Sequence, residues 1–106
     1  MKTLDKNNFV VYKYSGEKGT QLDAPAFKSA IFEFIESNPK KIIVIDLSGV
    51  EYVDSSFLGV LVAAYKEANS RDQEIVISGL TDMVSSVFES TRLYTVFRII
   101  KSVEEI

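Results

Sequence analysis

Hydrophobic residues along this chain alternate between two spacings, and each change of spacing marks a new element. Phe9 to Tyr14 (FVVYKY) is β-branched and aromatic and predicts a first strand. Ser15–Gly19 (SGEKG) supplies turn residues, so a short strand over Thr20–Leu22 would close an antiparallel hairpin. Asp23 then stands as an N-cap, with Pro25 in the first turn, where its missing N–H costs nothing. Phe27, Ala30, Ile31, Phe34 and Ile35 recur at helical spacing. That helix should stop near Ser37, because Asn38 precedes Pro39 and is pushed out of the α region.

Ile42 to Leu47 (IIVIDL) is apolar except for Asp46, as expected of a strand covered on both faces, and Ser48–Gly49 break it. A second helix is predicted over Ser55–Asn69, a buried strand over Ile75–Ile77, and a third helix near Asp82–Glu89 with Val84, Val87 and Phe88 on one face. Val96–Ile99 reads as a final strand, and Ser102 begins a short terminal helix. The order β-β-α-β-α-β-α-β-α describes one α/β domain over residues 1–106. Its sheet would be mixed and mainly parallel, with four to five strands packed against about four helices.

Composition adds mostly exclusions. In 106 residues the chain is 46% hydrophobic and 25% charged, which suits a packed domain and not a disordered segment. A formal net charge of −3 lacks the basic footprint of a nucleic-acid binder. No apolar run approaches the length of a bilayer span, and MKTLDKNNF lacks the apolar stretch of a signal peptide. The expectation is a cytoplasmic protein with no membrane or nucleic-acid partner. With no His and no Cys there is no Ser-His or Cys-His pair, no thiolate chemistry and no zinc site of the usual ligands. Neither a GxxxxGK[ST] loop nor a GxGxxG fingerprint is present, so the chain reads as a non-enzyme without a cofactor or metal of its own.

What remains is Asp54-Ser55-Ser56, placed just after a strand and at the start of a helix. One reading is a helix cap: Asp54 accepts orphan N–H groups and two small polar residues fill the first turn. The other is a phosphoacceptor, with the phosphate dianion at the positive end of the helix dipole beside the Asp54 carboxylate. Such a phosphate would change the surface shown to a partner more than the fold. The helix that follows carries two apolar stripes. Leu58, Leu61, Val62, Tyr65 and Ala68 form one, while Phe57, Val60 and Ala64 fall on another side. Either the helix is sunk on both sides, or Phe57, Val60 and Ala64 form a partly exposed docking patch beside the serines.

VIDLSGVEYVDSSFLGVLVAAYKEA resembles the central signature of STAS domains, the sulfate transporter and anti-sigma factor antagonist family. The resemblance extends over nearly the whole chain. Gln21-Leu22-Asp23 sits at the family's Gly-Glu-Leu-Asp, Ser78-Gly79-Leu80 at its turn before the third helix, and Ser102-Val103-Glu104-Glu105 at its terminal Ser-X-Glu-Glu. It implies a domain that binds an anti-sigma factor which is also a serine kinase and so frees a sigma factor. Phosphorylation at Ser56 would break that complex, and a metal-dependent, PP2C-type serine phosphatase would restore it. Asp23, Asp54 and Ser55 match residues flanking that serine, and ATP and magnesium belong to the kinase. Three replacements stand out: Phe57 occupies the place of the glycine after the phosphoserine, Thr20-Gln21 replaces Gly-Glu before Leu22 and removes one acid, and Thr91-Arg92 replaces a Thr-Gly turn. A phenyl ring at Phe57 either needs a pocket in the partner or shields the serine, and φ > 0 is less comfortable for Arg92. A non-switching adaptor using the Phe57, Val60 and Ala64 patch, and a small-ligand sensor with a pocket between Asp23 and Asp54, are the alternative roles.

Overall fold

The computed structural model describes residues 8–105. Its six strands are β1 (Phe9–Lys13), β2 (Lys18–Gly19), β3 (Ile42–Asp46), β4 (Tyr52–Val53), β5 (Ile75–Ser78) and β6 (Arg98–Ile100). Three α-helices lie between them, α1 (Ala24–Ser37), α2 (Ser55–Ser70) and α3 (Asp82–Ser90), with 3-10 turns at Leu93–Thr95 and Val103–Glu105. The expected terminal helix is thus a single short turn.

The main sheet runs β1-β3-β5-β6 and every pairing in it is parallel. Each crossover between successive strands of this sheet carries a helix, α1, α2 or α3, that returns the chain to the same end, as parallel neighbours require. The sheet's helix face presents Ile43, Ile45, Ile75 and Ile77, which meet Phe27, Ile31 and Ile35 of α1, Leu61 and Ala68 of α2, and Phe88 of α3. The other face holds a smaller cluster of Val44, Val76 and Ile100, with Phe9, Ile42 and Val103 against it. Both faces are covered, which is why β3 and β5 read as continuous apolar runs.

The predicted antiparallel hairpin does not form. Lys18–Gly19, not Thr20–Leu22, is the short strand, and it pairs in parallel with β4 in a separate two-stranded ribbon, Lys18 opposite Tyr52 and Gly19 opposite Val53. The partner of β1 is β3, in register Val11 with Val44. Turn residues at Ser15–Gly19 change the direction of the chain, but the choice of partner is a long-range packing matter that they do not encode.

The Thr91-Arg92 turn keeps a left-handed residue: Arg92 sits at φ 61°, ψ 21° and donates its N–H to the Glu89 carbonyl at 3.2 Å, ending α3. A side chain in that conformation costs about 1–2 kcal/mol, part of which glycine returns as unfolded-state entropy. Arg92→Gly should therefore raise unfolding stability by about 0.5–1 kcal/mol, read as a higher urea midpoint at unchanged m-value.

Candidate functional site

The site is assembled where the β2–β4 ribbon releases two chains in the same direction, one into the loop at residues 20–23 and the other into α2. Asp54 joins them. Its backbone is extended at φ −115°, ψ 179°, and its carboxylate works both ways: Oδ1 accepts the Phe57 N–H at 3.0 Å and Oδ2 accepts the Gln21 N–H at 2.8 Å. The first bond caps α2, as its place in the sequence predicts, and the second fastens the neighbouring loop to the helix start. The Asp54 N–H completes the clasp by donating to the Gly19 carbonyl at 3.0 Å.

Asp23 occupies the N-cap position of α1 and its carbonyl accepts the Phe27 N–H at 3.0 Å, but its side chain makes no cap bond. Its backbone is already helical at φ −89°, ψ −22°, and its carboxylate accepts from the Thr20 N–H and the Thr20 hydroxyl, both at 3.0 Å. Thr20 Oγ1 in turn accepts the Leu22 N–H at 3.3 Å. The first turn of α1 contains Pro25, which removes a donor, while the Thr20 donors lie close by. Asp23 thus shapes the 20–23 loop, and Leu22 is carried outward on it, 87% exposed. Asp23 and Asp54 both hold this loop, the first through the Thr20 amide and hydroxyl and the second through the Gln21 amide.

Ser55 and Ser56 are the first two residues of α2 and both are exposed. Ser56 begins the narrow outer stripe of the helix, which continues through Gly59, Ala63, Lys66 and Ser70 at helical spacing. Phe57 faces the opposite way. Its ring is fully buried, stacked on Phe27 at 4.6 Å between centroids and 11° between planes, and in a T-shaped contact with Tyr14 at 5.0 Å between centroids. A methyl group on Gly19 would stand 2.5 Å from two carbons of the Phe57 ring, so only a glycine fits beneath it. The Tyr14 hydroxyl donates to the Lys18 carbonyl at 2.9 Å, which ties the same cluster to the ribbon. Burial pushes the Tyr14 phenol up from its ordinary pKa, with Asp23 and then Tyr12 adding to the shift.

The docking patch of Phe57, Val60 and Ala64 is corrected by these positions. Phe57 and Ala64 have no exposed surface and Val60 retains 7%, because α2 packs on the sheet along one stripe and on α1 along the other. Leu22 and Gly59 escaped the sequence reading. Leu22 is conspicuous only once the loop is known to hold it in water, and a helix-interior glycine without a neighbour looks like any other glycine in a string of letters. Among the described residues, no group of three or more His, Cys, Asp or Glu is placed to hold a metal ion, and no helix is long and apolar enough to cross a membrane.

Removing the clasp should be costly. Asp54→Ala loses the helix cap and the bond to the loop together, and is expected to lower stability by about 1–2 kcal/mol. Asp54→Asn, which keeps an acceptor oxygen, should lose less than half of that, both values being read from urea unfolding.

The family model of the STAS domain matches residues 2–106. An anti-sigma-B factor antagonist of Listeria monocytogenes is 40% identical over 81 residues, which cover 76% of this chain and 69% of the relative. An anti-sigma-factor antagonist (STAS) domain protein from Planctomyces limnophilus has a TM-score of 0.81 at 19% identity, over 92% of this chain and 86% of that one. The unphosphorylated form of SpoIIAA, an anti-sigma factor antagonist, has a TM-score of 0.68 at 14% identity, over 98% and 88%. At those identities the two structures speak for the fold alone. The parallel sheet, the Asp-Ser-Ser turn that opens α2 and the match along nearly the whole sequence agree: this chain belongs to the STAS domain family.

Proposed function

We propose that the chain is an anti-sigma factor antagonist, switched by phosphorylation at Ser56. In the unphosphorylated state it binds an anti-sigma factor that is also a serine kinase, and binding frees the sigma factor for transcription. Transfer of phosphate from ATP to Ser56 weakens the complex, and a PP2C-type serine phosphatase restores it. The domain is the substrate of that kinase and not itself an enzyme. The observation that carries this reading is the opposed orientation of neighbours in the first turn of α2. Ser56 faces solvent while Phe57, in place of the family glycine, points into the core. The ring therefore adds no bulk at the surface, and a kinase cleft meets the serine unobstructed.

The physical consequence of phosphorylation follows from the same geometry. A phosphate on Ser56 adds close to two negative charges two residues from Asp54, whose carboxylate is committed to the Phe57 and Gln21 amides. The helix dipole favours the added charge and the neighbouring carboxylate opposes it, so the net effect on folding is small. The effect on an interface is large, because a dianion there must be desolvated or paired. The apolar-patch adaptor loses its support, since the side chains it needs are buried.

Incubation with the kinase and Mg-ATP should add one phosphate, seen in intact mass and located at Ser56, and Ser56→Ala should accept none. Ser56→Asp should weaken the complex at least tenfold while shifting Tm by less than about 3 °C. Full binding by Ser56→Asp, or phosphate on Ser55 instead, would overturn the switch.

A further inference from the structure

Two features beside Ser56 have no explanation in the packing of the fold. Leu22 is 87% exposed on a loop whose backbone is held by Thr20, Asp23 and Asp54, so the side chain is kept in water by a structured frame and not by loose chain. Gly59 lies inside α2 one turn beyond Ser56, where a glycine costs helix stability relative to alanine. Gly19 has a steric reason to be glycine, but a Cβ built on Gly59 meets nothing within 4 Å. Its conformation is ordinary helix, and alanine would fit. Bare backbone one turn along the outer stripe from the Ser56 hydroxyl permits an approach that a methyl group would block.

Resting on the reading of Ser56 given above, we propose that Leu22 and Gly59 form the contact surface that recognises the anti-sigma factor on either side of that serine. Leu22 is the apolar anchor. It rises between two surface clefts, one of about 300 Å³ lined by Tyr12, Tyr14, Ala26 and Phe27, the other of about 390 Å³ lined by Gly16, Glu17, Lys18 and Thr20. A protruding side chain with a hollow on each side fits a partner with an apolar socket and a raised rim. The rim is cationic: residues 17–23 and 51–56 carry four carboxylates, Glu17, Asp23, Glu51 and Asp54, against the single lysine Lys18. Gly59 lets the partner's chain sit against α2 close enough to reach the serine. An exposed apolar anchor flanked by charge is the arrangement in which truncation is costly to binding and neutral to folding.

The two variants separate binding from stability because their predicted signs differ. Gly59→Ala should raise Tm by about 4 °C through helix propensity, yet weaken binding of the organism's purified anti-sigma factor, measured without ATP, about tenfold or more. Leu22→Ser should leave Tm unchanged and weaken the same binding about tenfold or more, while Leu22→Met stays within about threefold of the parent. Raising NaCl from about 50 to 500 mM should weaken the parent complex, and an affinity indifferent to salt would overturn the cationic rim. A parent chain that binds while either variant binds equally well overturns the role of that residue and leaves the proposed function standing. A parent chain that does not bind the anti-sigma factor at all removes both.

Discussion

The ring of Phe57 lies against the bare backbone of Gly19 and stacks on Phe27, and the face that presents Ser56 is organised by that contact. Gly19 is in β2, Phe27 in α1 and Phe57 in the first turn of α2, so one ring joins three elements that are distant in sequence. Tyr14 closes the cluster from the end of β1. Aromatic pairs of this kind add about 0.5–1.5 kcal/mol each beyond the area they bury. Their larger consequence here is positional. With Phe57 anchored inward, the helical repeat turns Ser56 outward, and the Asp54 clasp fixes the 20–23 loop at its side.

Under the proposed switch at Ser56, a glycine and this phenylalanine would satisfy the same surface requirement by different means. A glycine leaves the helix start small. A phenylalanine leaves it equally free of bulk, provided that the interior supplies a slot, and Gly19 with Phe27 supplies it. The interior gains a fully buried side chain in the process, worth about 1.5–3 kcal/mol of apolar burial. The exposed face is left to Ser55, Ser56, Gly59 and Leu22, residues whose identities the core does not dictate.

Much of this was legible in the sequence, for definite physical reasons. The helical spacing of Phe27, Ile31 and Ile35 predicted α1, Asn38-Pro39 predicted its end, and the uninterrupted apolar runs at Ile42 and Ile75 predicted buried parallel strands. Asp54 as a cap was legible because the side chain acts three residues away. Pairing across distance was not. The two-residue strand Lys18–Gly19 carries no alternation, so nothing local distinguished a hairpin with β1 from a ribbon with β4. Asp23 stands at the N-cap as its place in the sequence predicted, but its side chain had two local acceptor roles open to it and bonds to the Thr20 donors instead of the helix. The orientation of Phe57 depends on Gly19, and the only trace of that in the sequence is a lone glycine in a short strand, which signals close backbone approach.

A double-mutant cycle of unfolding free energies over Gly19→Ala and Phe57→Ala decides whether the ring occupies the slot above Gly19. If it does, Gly19→Ala costs about 1–3 kcal/mol in the parent chain, where the added methyl overlaps the ring. In the Phe57→Ala background it costs close to nothing, which gives a coupling of at least about 1 kcal/mol. An equal cost for Gly19→Ala in both backgrounds would mean that the ring lies elsewhere, and that the serine face is not held in the way described.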